Sequence, residues 1–142
     1  MSAAAPFSDP RIQAFLDTRE VVVLATLGPD GAPEATPMWF WHSPEALFMI
    51  SVDGLRKIRN LRRDPRVAVV AETTLPGGGI RGVTVKGRAE LLPDSIERRR
   101  LAERFLDKYH PRLEGLWGGR AMPPDRAMFR IAAEGVRSWG LS

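Results

Sequence analysis

The stretch between residues 20 and 92 constrains the fold most, because it is a succession of short β-forming runs closed by Gly, Pro and Asp turns. Residues 20–27 are rich in valine, Gly28-Pro29-Asp30-Gly31 is a turn, and residues 32–41 return as a second strand, which makes a hairpin. Pro33 and Pro37 have no N–H to donate, so the returning strand belongs at a sheet edge or carries a bulge near Pro37. Residues 47–52, 66–74, 83–92 and 127–133 read as four further strands, with Gly87 marking a bend in the fifth.

Helical periodicity appears in three places. Asp9-Pro10 places an N-cap and a first-turn proline before the apolar face of Ile12, Phe15 and Leu16. Residues 55–63 form a second helix that Asp64-Pro65 ends, and Asp94 with Glu97 gives a capping-box-like start to a third, whose apolar face holds Leu101, Phe105 and Tyr109. Residues 1–8 are expected to be flexible, residues 111–125 irregular, and residues 136–141 a tail carrying Trp139. Hairpin-linked strands with few long helices between them argue for a mainly β, α+β fold: a six-stranded antiparallel sheet closed into a small barrel with flanking helices. A doubly wound nucleotide-binding sheet is excluded, because no Gly-x-Gly-x-x-Gly turn joins a first strand to a helix.

At 142 residues, 44% hydrophobic and 27% charged, the chain is expected to be one globular domain spanning residues 1–142. Cysteine is absent, and His42 and His110 are the only histidines, so thiolate or His-rich metal sites and cysteine nucleophiles fall away. No metal is expected. Neither histidine stands beside a carboxylate in a catalytic spacing, so both read as surface or structural residues. No run is long and apolar enough to cross a bilayer, and the start Met1-Ser2-Ala3-Ala4-Ala5-Pro6 lacks the pattern of a signal peptide, so the expected location is the cytoplasm.

The net charge is +4, and of 21 basic residues only Lys57, Lys86 and Lys108 are lysine. Arginine favours planar, bidentate recognition of phosphate or carboxylate, so an anionic ligand is indicated. The informative segment is Ser51-Val52-Asp53-Gly54-Leu55-Arg56-Lys57-Ile58-Arg59-Asn60-Leu61-Arg62-Arg63. Leu55, Ile58 and Leu61 share one helical face, leaving Arg56, Lys57, Asn60 and Arg63 on a polar one. Arg56 and Lys57 lie in the first turn, where the helix dipole disfavours cations by roughly 0.3–1 kcal/mol each. A phosphate there would meet free N–H groups, both cations and the Ser51 hydroxyl. A simple solvated basic face accounts for the spacing equally well.

These segments, in order, resemble the pyridoxamine 5′-phosphate oxidase-like split β-barrel proteins, which bind FMN or the deazaflavin coenzyme F420. The likeness runs through Ala25-Thr26-Leu27-Gly28-Pro29-Asp30-Gly31-Ala32-Pro33, Thr36-Pro37-Met38-Trp39-Phe40 and Arg56-Lys57-Ile58-Arg59-Asn60-Leu61-Arg62-Arg63-Asp64-Pro65-Arg66-Val67. It continues in Val85-Lys86-Gly87-Arg88-Ala89-Glu90-Leu91 and Val136-Arg137-Ser138-Trp139, and so covers nearly the whole chain. The resemblance implies a homodimeric split barrel with two cofactor sites at the interface and the cofactor phosphate on Arg56 and Lys57. It also implies that Pro37, Met38 and Trp39 lie along the ring, that Ser51 and Asn60 are close to the phosphate or its linker, and that Trp139 reaches the partner's cofactor. Trp139 stapling the barrel of its own chain is an equal alternative.

Trp39 and Trp41 share one strand face and Phe40 takes the other. Phe40 and Trp41 are read as core or interface, and Trp39 as core or ring platform. The implied activity is hydride transfer between bound FMN or F420 and a small organic substrate, with no catalytic side chain identified. The basic run from Arg56 to Arg66 suits the extra negative charge of F420. The segments Gly77-Gly78-Gly79 and the stretch through Trp117 are candidate pocket walls, with linker as the plainer reading. Vitamin B6 oxidation itself is disfavoured, because the C-terminal residues of true pyridoxamine phosphate oxidases have no counterpart here.

Two other readings compete. A flavin or F420 carrier or sensor would keep the fold without turnover. A nucleic-acid-binding module would use residues 56–66 against a phosphate backbone, but Asp64, Glu72, Glu90, Glu97, Glu103 and Asp107 interleave with the basic residues and no nucleic-acid motif is present. The expected partners are therefore a small-molecule substrate and a second copy of the chain, with neither nucleic acid nor membrane.

Overall fold

The structure is a computed structural model and describes residues 3–141. Its elements run β1 (Ala3–Ala4), α1 (Pro10–Asp17), β2 (Val21–Leu27), β3 (Pro33–Trp39), β4 (Trp41–His42), β5 (Ala46–Val52), α2 (Arg56–Arg63), β6 (Arg66–Thr74), β7 (Ile80–Leu91), α3 (Ile96–Lys108), α4 (Arg112–Trp117) and β8 (Arg126–Trp139). All pairings are antiparallel, in the order β3-β2-β6-β7-β8-β5-β4, with β1 added to β8. The strand count among the described residues is thus eight and not the expected six, because the second run breaks at Phe40 and Ala3–Ala4 find a partner.

That break closes the barrel. β3 lies at one edge of the sheet and β4 at the other, yet only Phe40 separates them in the chain. Two residues span at most about 7 Å, so the sheet has to curl until its edges meet. Pro33 and Pro37 do sit in an edge strand, as their missing donors require. The bend expected at Gly87 is a register shift between Lys86 and Gly87, where a Cβ would stand 2.1 Å from the Ala132 carbonyl oxygen.

Inside the curl, Leu24, Met38, Phe40, Met49, Phe129 and Ile131 form the barrel core, plugged by Ile12, Phe15 and Leu16 of α1 and by Ile58 and Leu61 of α2. Each such side chain contributes about 1.5–3 kcal/mol of burial. Outside it, α3 and α4 cover Phe48, Ile50 and Met128 with Phe105, Leu106 and Leu113. The run Ala46-Leu47-Phe48-Met49 is apolar at every position because both of its faces are covered. Phe40 points inward, whereas Trp39 and Trp41 pack on the α3–α4 side.

The seam is tied by α3. The Phe40 N–H donates to the Tyr109 hydroxyl at 2.8 Å, that hydroxyl lies 2.8 Å from the Glu20 carbonyl oxygen and 3.0 Å from that of Phe40, and Lys108 Nζ donates to the Phe40 carbonyl at 2.9 Å. Burial pushes the Tyr109 pKa up and brings that of Lys108 down to about 8.

Four local expectations change. The α3 N-cap is Ser95, whose hydroxyl accepts from the Arg98 N–H at 3.1 Å, while Asp94 pairs with Arg99; the shorter Ser side chain reaches the free amide. The stretch read as irregular contains α4, which buries Leu113 and stops at Gly118 in the left-handed region. The tail continues β8 as far as Trp139, paired to β7. The segment read as flexible gives way from Ala3 onward to strand pairing and a buried Phe7; Met1 and Ser2 lie outside the described residues. No helix among the described residues is long and apolar enough to cross a membrane.

Candidate functional site

The site is built at the start of α2. Leu55 occupies the N-cap position and offers no side-chain acceptor, and the first turn holds no acidic residue, so the Arg56 and Lys57 amides and the positive end of the dipole have no intrahelical remedy, while the Ile58 N–H donates to the Leu55 carbonyl. The two cations placed there meet different fates. Arg56 lies across Glu34, with Nε 2.8 Å from Oε1 and Nη2 2.8 Å from Oε2. The Arg56 guanidinium, with Asn60 second, holds the Glu34 carboxyl down at about 2. Lys57 makes no ion pair among the described residues; its Nζ donates to the Met38 sulfur at 3.2 Å, and burial lowers its pKa.

Asn60 departs from the exposed polar face assigned to it. It is 1% exposed, and its Nδ2 donates to Thr26 Oγ1 at 3.0 Å and Glu34 Oε1 at 2.9 Å, while its Oδ1 accepts from Arg63. The cause is the lie of the short helix against the β2–β3 rim as well as the core, which buries a second side of α2 that its helical period leaves polar. Asn60 therefore ties α2 to the sheet. Three other arginines of the run are also engaged, Arg62 with Asp53, Arg63 with the Leu27 carbonyl and Arg66 with Asp64, while Arg59 has no side-chain partner among the described residues. Three of the six cations of the run, Arg56, Arg62 and Arg66, thus face carboxylates, while Lys57, Arg59 and Arg63 form no ion pair among the described residues, so the run keeps a net positive charge.

The inward face of β3 carries Glu34, Thr36 and Met38 in alternation. Glu34 touches Arg56 and Met38 touches Lys57, so Thr36 lies between the two contacts, and its buried hydroxyl has no hydrogen-bond partner. A buried hydroxyl left unmatched costs about 1–3 kcal/mol.

Pro37, Met38, Trp39, Ser51 and Lys57 line one cleft of about 370 Å³ at the barrel rim. Five of the eight expected cofactor residues thus converge. β3 is hydrogen-bonded on one side only, which leaves edge backbone groups for a polar ring. Trp39 lines the cleft but stacks flat on Tyr109, ring centroids 4.4 Å apart, so one of its faces is already taken. Leu113 and Trp117 form the far wall; the Gly77-Gly78-Gly79 turn does not line the cleft.

Trp139 is not near it. Along β8 it stands about 40 Å of strand contour from Arg126 at the cleft, and it packs on Gly82, where a Cβ would come within 2.5 Å of its ring. His42 is buried between Gln13 and Asp17, at 2.8 and 2.7 Å, and desolvation lowers its pKa; His110 pairs with Glu114 on the surface. No cluster of His, Cys, Asp and Glu suited to a metal occurs among the described residues. Thr36 and Arg126 escaped the sequence reading. The two-residue period from Met38 back to Glu34 was the available signal for Thr36; for Arg126 there was none.

Fold and site together define a split-barrel protein with a cleft at the barrel rim. The chain belongs to the pyridoxamine 5′-phosphate oxidase family, whose model matches residues 8–140. Among solved structures, it is similar to the conserved hypothetical protein Rv2991 of Mycobacterium tuberculosis, at 28% identity and a TM-score of 0.78 over 92% of this chain and 83% of that one. A FAD-binding protein of Mesorhizobium loti matches at 27% identity and a TM-score of 0.73 over 97% and 98%. An F420 reductase matches at 25% identity and a TM-score of 0.65 over 87% and 94%.

Proposed function

We propose that this protein binds FMN or coenzyme F420 through the cofactor phosphate at the start of α2 and transfers hydride to or from a small organic substrate. The observation that carries the reading is Lys57, a half-buried ammonium without a carboxylate partner at a helix start without a capping side chain. Ser51 supplies a hydroxyl to the same anion, and the Arg56 and Lys57 amides at the start of the helix donate to it. The β3 edge from Pro37 to Trp39 meets the ring. A bound cofactor would exchange a hydride with the substrate, and because the cleft lining holds no Asp, Glu or His the accompanying proton is assigned to solvent.

The working unit is a homodimer. The outer face of β2 leaves Val21 44% and Val23 38% exposed, beside Val70 and Pro37 on neighbouring strands, and no helix covers it. A second copy of the chain is the occupant that hides such a face, and it is also the only way for Trp139 to meet a cleft. The test is titration of the purified protein with FMN and F420 side by side, followed by turnover of the reduced complex against quinones, enones and tetrapyrroles. Binding with oxidation of the reduced cofactor supports the reading. A complex that stays reduced against the whole panel makes the protein a carrier or sensor, and failure to bind either cofactor removes the proposal.

A further inference from the structure

The cleft has a second half that cofactor binding at Lys57 leaves unexplained. Phe105, Leu113, Leu116 and Trp117 present an apolar wall, and Leu116 is 68% exposed although α4 has a sheet to pack against. Arg126 lies at the edge of this wall with its side chain only 20% exposed. Its one acidic partner is its own neighbour Asp125, a carboxylate 64% exposed and screened by water, and the remaining guanidinium donors have no acceptor among the described residues.

The two cations of the cleft approach from opposite sides of the sheet. Lys57 rests on Met38, which belongs to the barrel interior. Arg126 pairs with Val52 in the β5–β8 ladder and so shares the outer face with Ile50, which packs under α3. The outer half also differs in chemistry: one planar cation with free forked donors beside a broad apolar surface that includes an indole.

We infer that the α4 side of the cleft is the substrate subsite and that it takes a flat apolar molecule bearing a carboxylate. The ring system lies against Leu116 and Trp117, and the carboxylate meets Arg126 through its fork. This rests on the reading that Lys57 holds the cofactor phosphate.

The test uses the cofactor-loaded protein and two probes of equal shape, naphthoate and the uncharged naphthylmethanol, followed by quenching of tryptophan fluorescence. Wild-type protein should bind the acid about tenfold more tightly than the alcohol, as a charge-assisted pair predicts. Arg126→Gln should abolish that preference while leaving cofactor affinity within about twofold, and Leu116→Asp, on an exposed position, should weaken both probes. Equal binding of acid and alcohol by the wild type, or a loss of cofactor affinity in Arg126→Gln, would overturn the inference. If Lys57→Ala leaves cofactor affinity unchanged while Arg126→Gln still abolishes the acid preference, the phosphate reading fails and the subsite stands. The opposite pattern removes the subsite alone.

Discussion

Arg56 and Glu34, 22 residues apart in the chain, meet as a two-pronged ion pair that joins the first turn of α2 to the edge strand β3. The carboxylate takes up the forked donors that an incoming phosphate would use, so Arg56 can serve a ligand only through its remaining donors. Glu34→Gln keeps an oxygen for Asn60 but releases the guanidinium. A severalfold gain in affinity for FMN or F420 is expected, largest at low salt, and fluorescence titration across ionic strength checks it.

Cofactor affinity should also report the state of Lys57. Burial lowers the pKa of this ammonium in the free protein, so its charge is lost at a lower pH than that of an exposed lysine. Affinity for a phosphate-bearing cofactor is therefore expected to fall as pH rises toward the ordinary lysine range. Lys57→Arg should flatten the decline, since a guanidinium stays charged. An identical pH profile in both proteins would assign the titration to another group.

The seam at Phe40 makes a stability prediction. Tyr109→Phe removes the acceptor of the buried Phe40 N–H and one donor to its flanking carbonyls. A loss of about 1–3 kcal/mol is expected in urea unfolding, with the unfolding slope unchanged.

Lys108 adds a pH signature to the same seam. Its pKa is about 8 in the folded protein and near 10.5 when unfolded, so between those values the unfolded chain binds more protons and stability from this group rises with pH. Below about pH 8 both states are protonated and the full desolvation penalty is present. Lys108→Met should remove this rising component from Tm measured between pH 7.5 and 10.5.

Much of the fold was written in local chemistry. Asp9-Pro10 fixed the start of α1, the two prolines of β3 fixed an edge strand, and Gly87 marked the one place where the Ala132 carbonyl leaves no room for a side chain. Pro37, Met38, Trp39, Ser51 and Lys57 were legible as a group because the family resemblance names them, and the placement of a cation at the start of α2 points to Lys57 independently. The long-range pairings were not. Nothing within a few residues of Arg56 shows that Glu34 occupies it, and the helical period assigns Asn60 to solvent because it knows only one packing face. α4 was hidden by its Gly and Pro neighbours, although Gly118 supplies the stop that such a helix needs. Glu34 and Asp53 pair with only part of the basic run, and Arg63 bonds to the neutral Leu27 carbonyl, partners that composition does not register.

The central claim is that the cofactor phosphate sits on Lys57, and comparison of FMN with riboflavin, which lacks the phosphate, tests it most directly. Equilibrium titration of the wild-type protein should favour FMN by at least about tenfold, and Lys57→Ala should bring FMN down to the affinity of riboflavin while leaving riboflavin unchanged. A wild-type protein that binds the two flavins equally, or a Lys57→Ala variant that still prefers FMN, would contradict it.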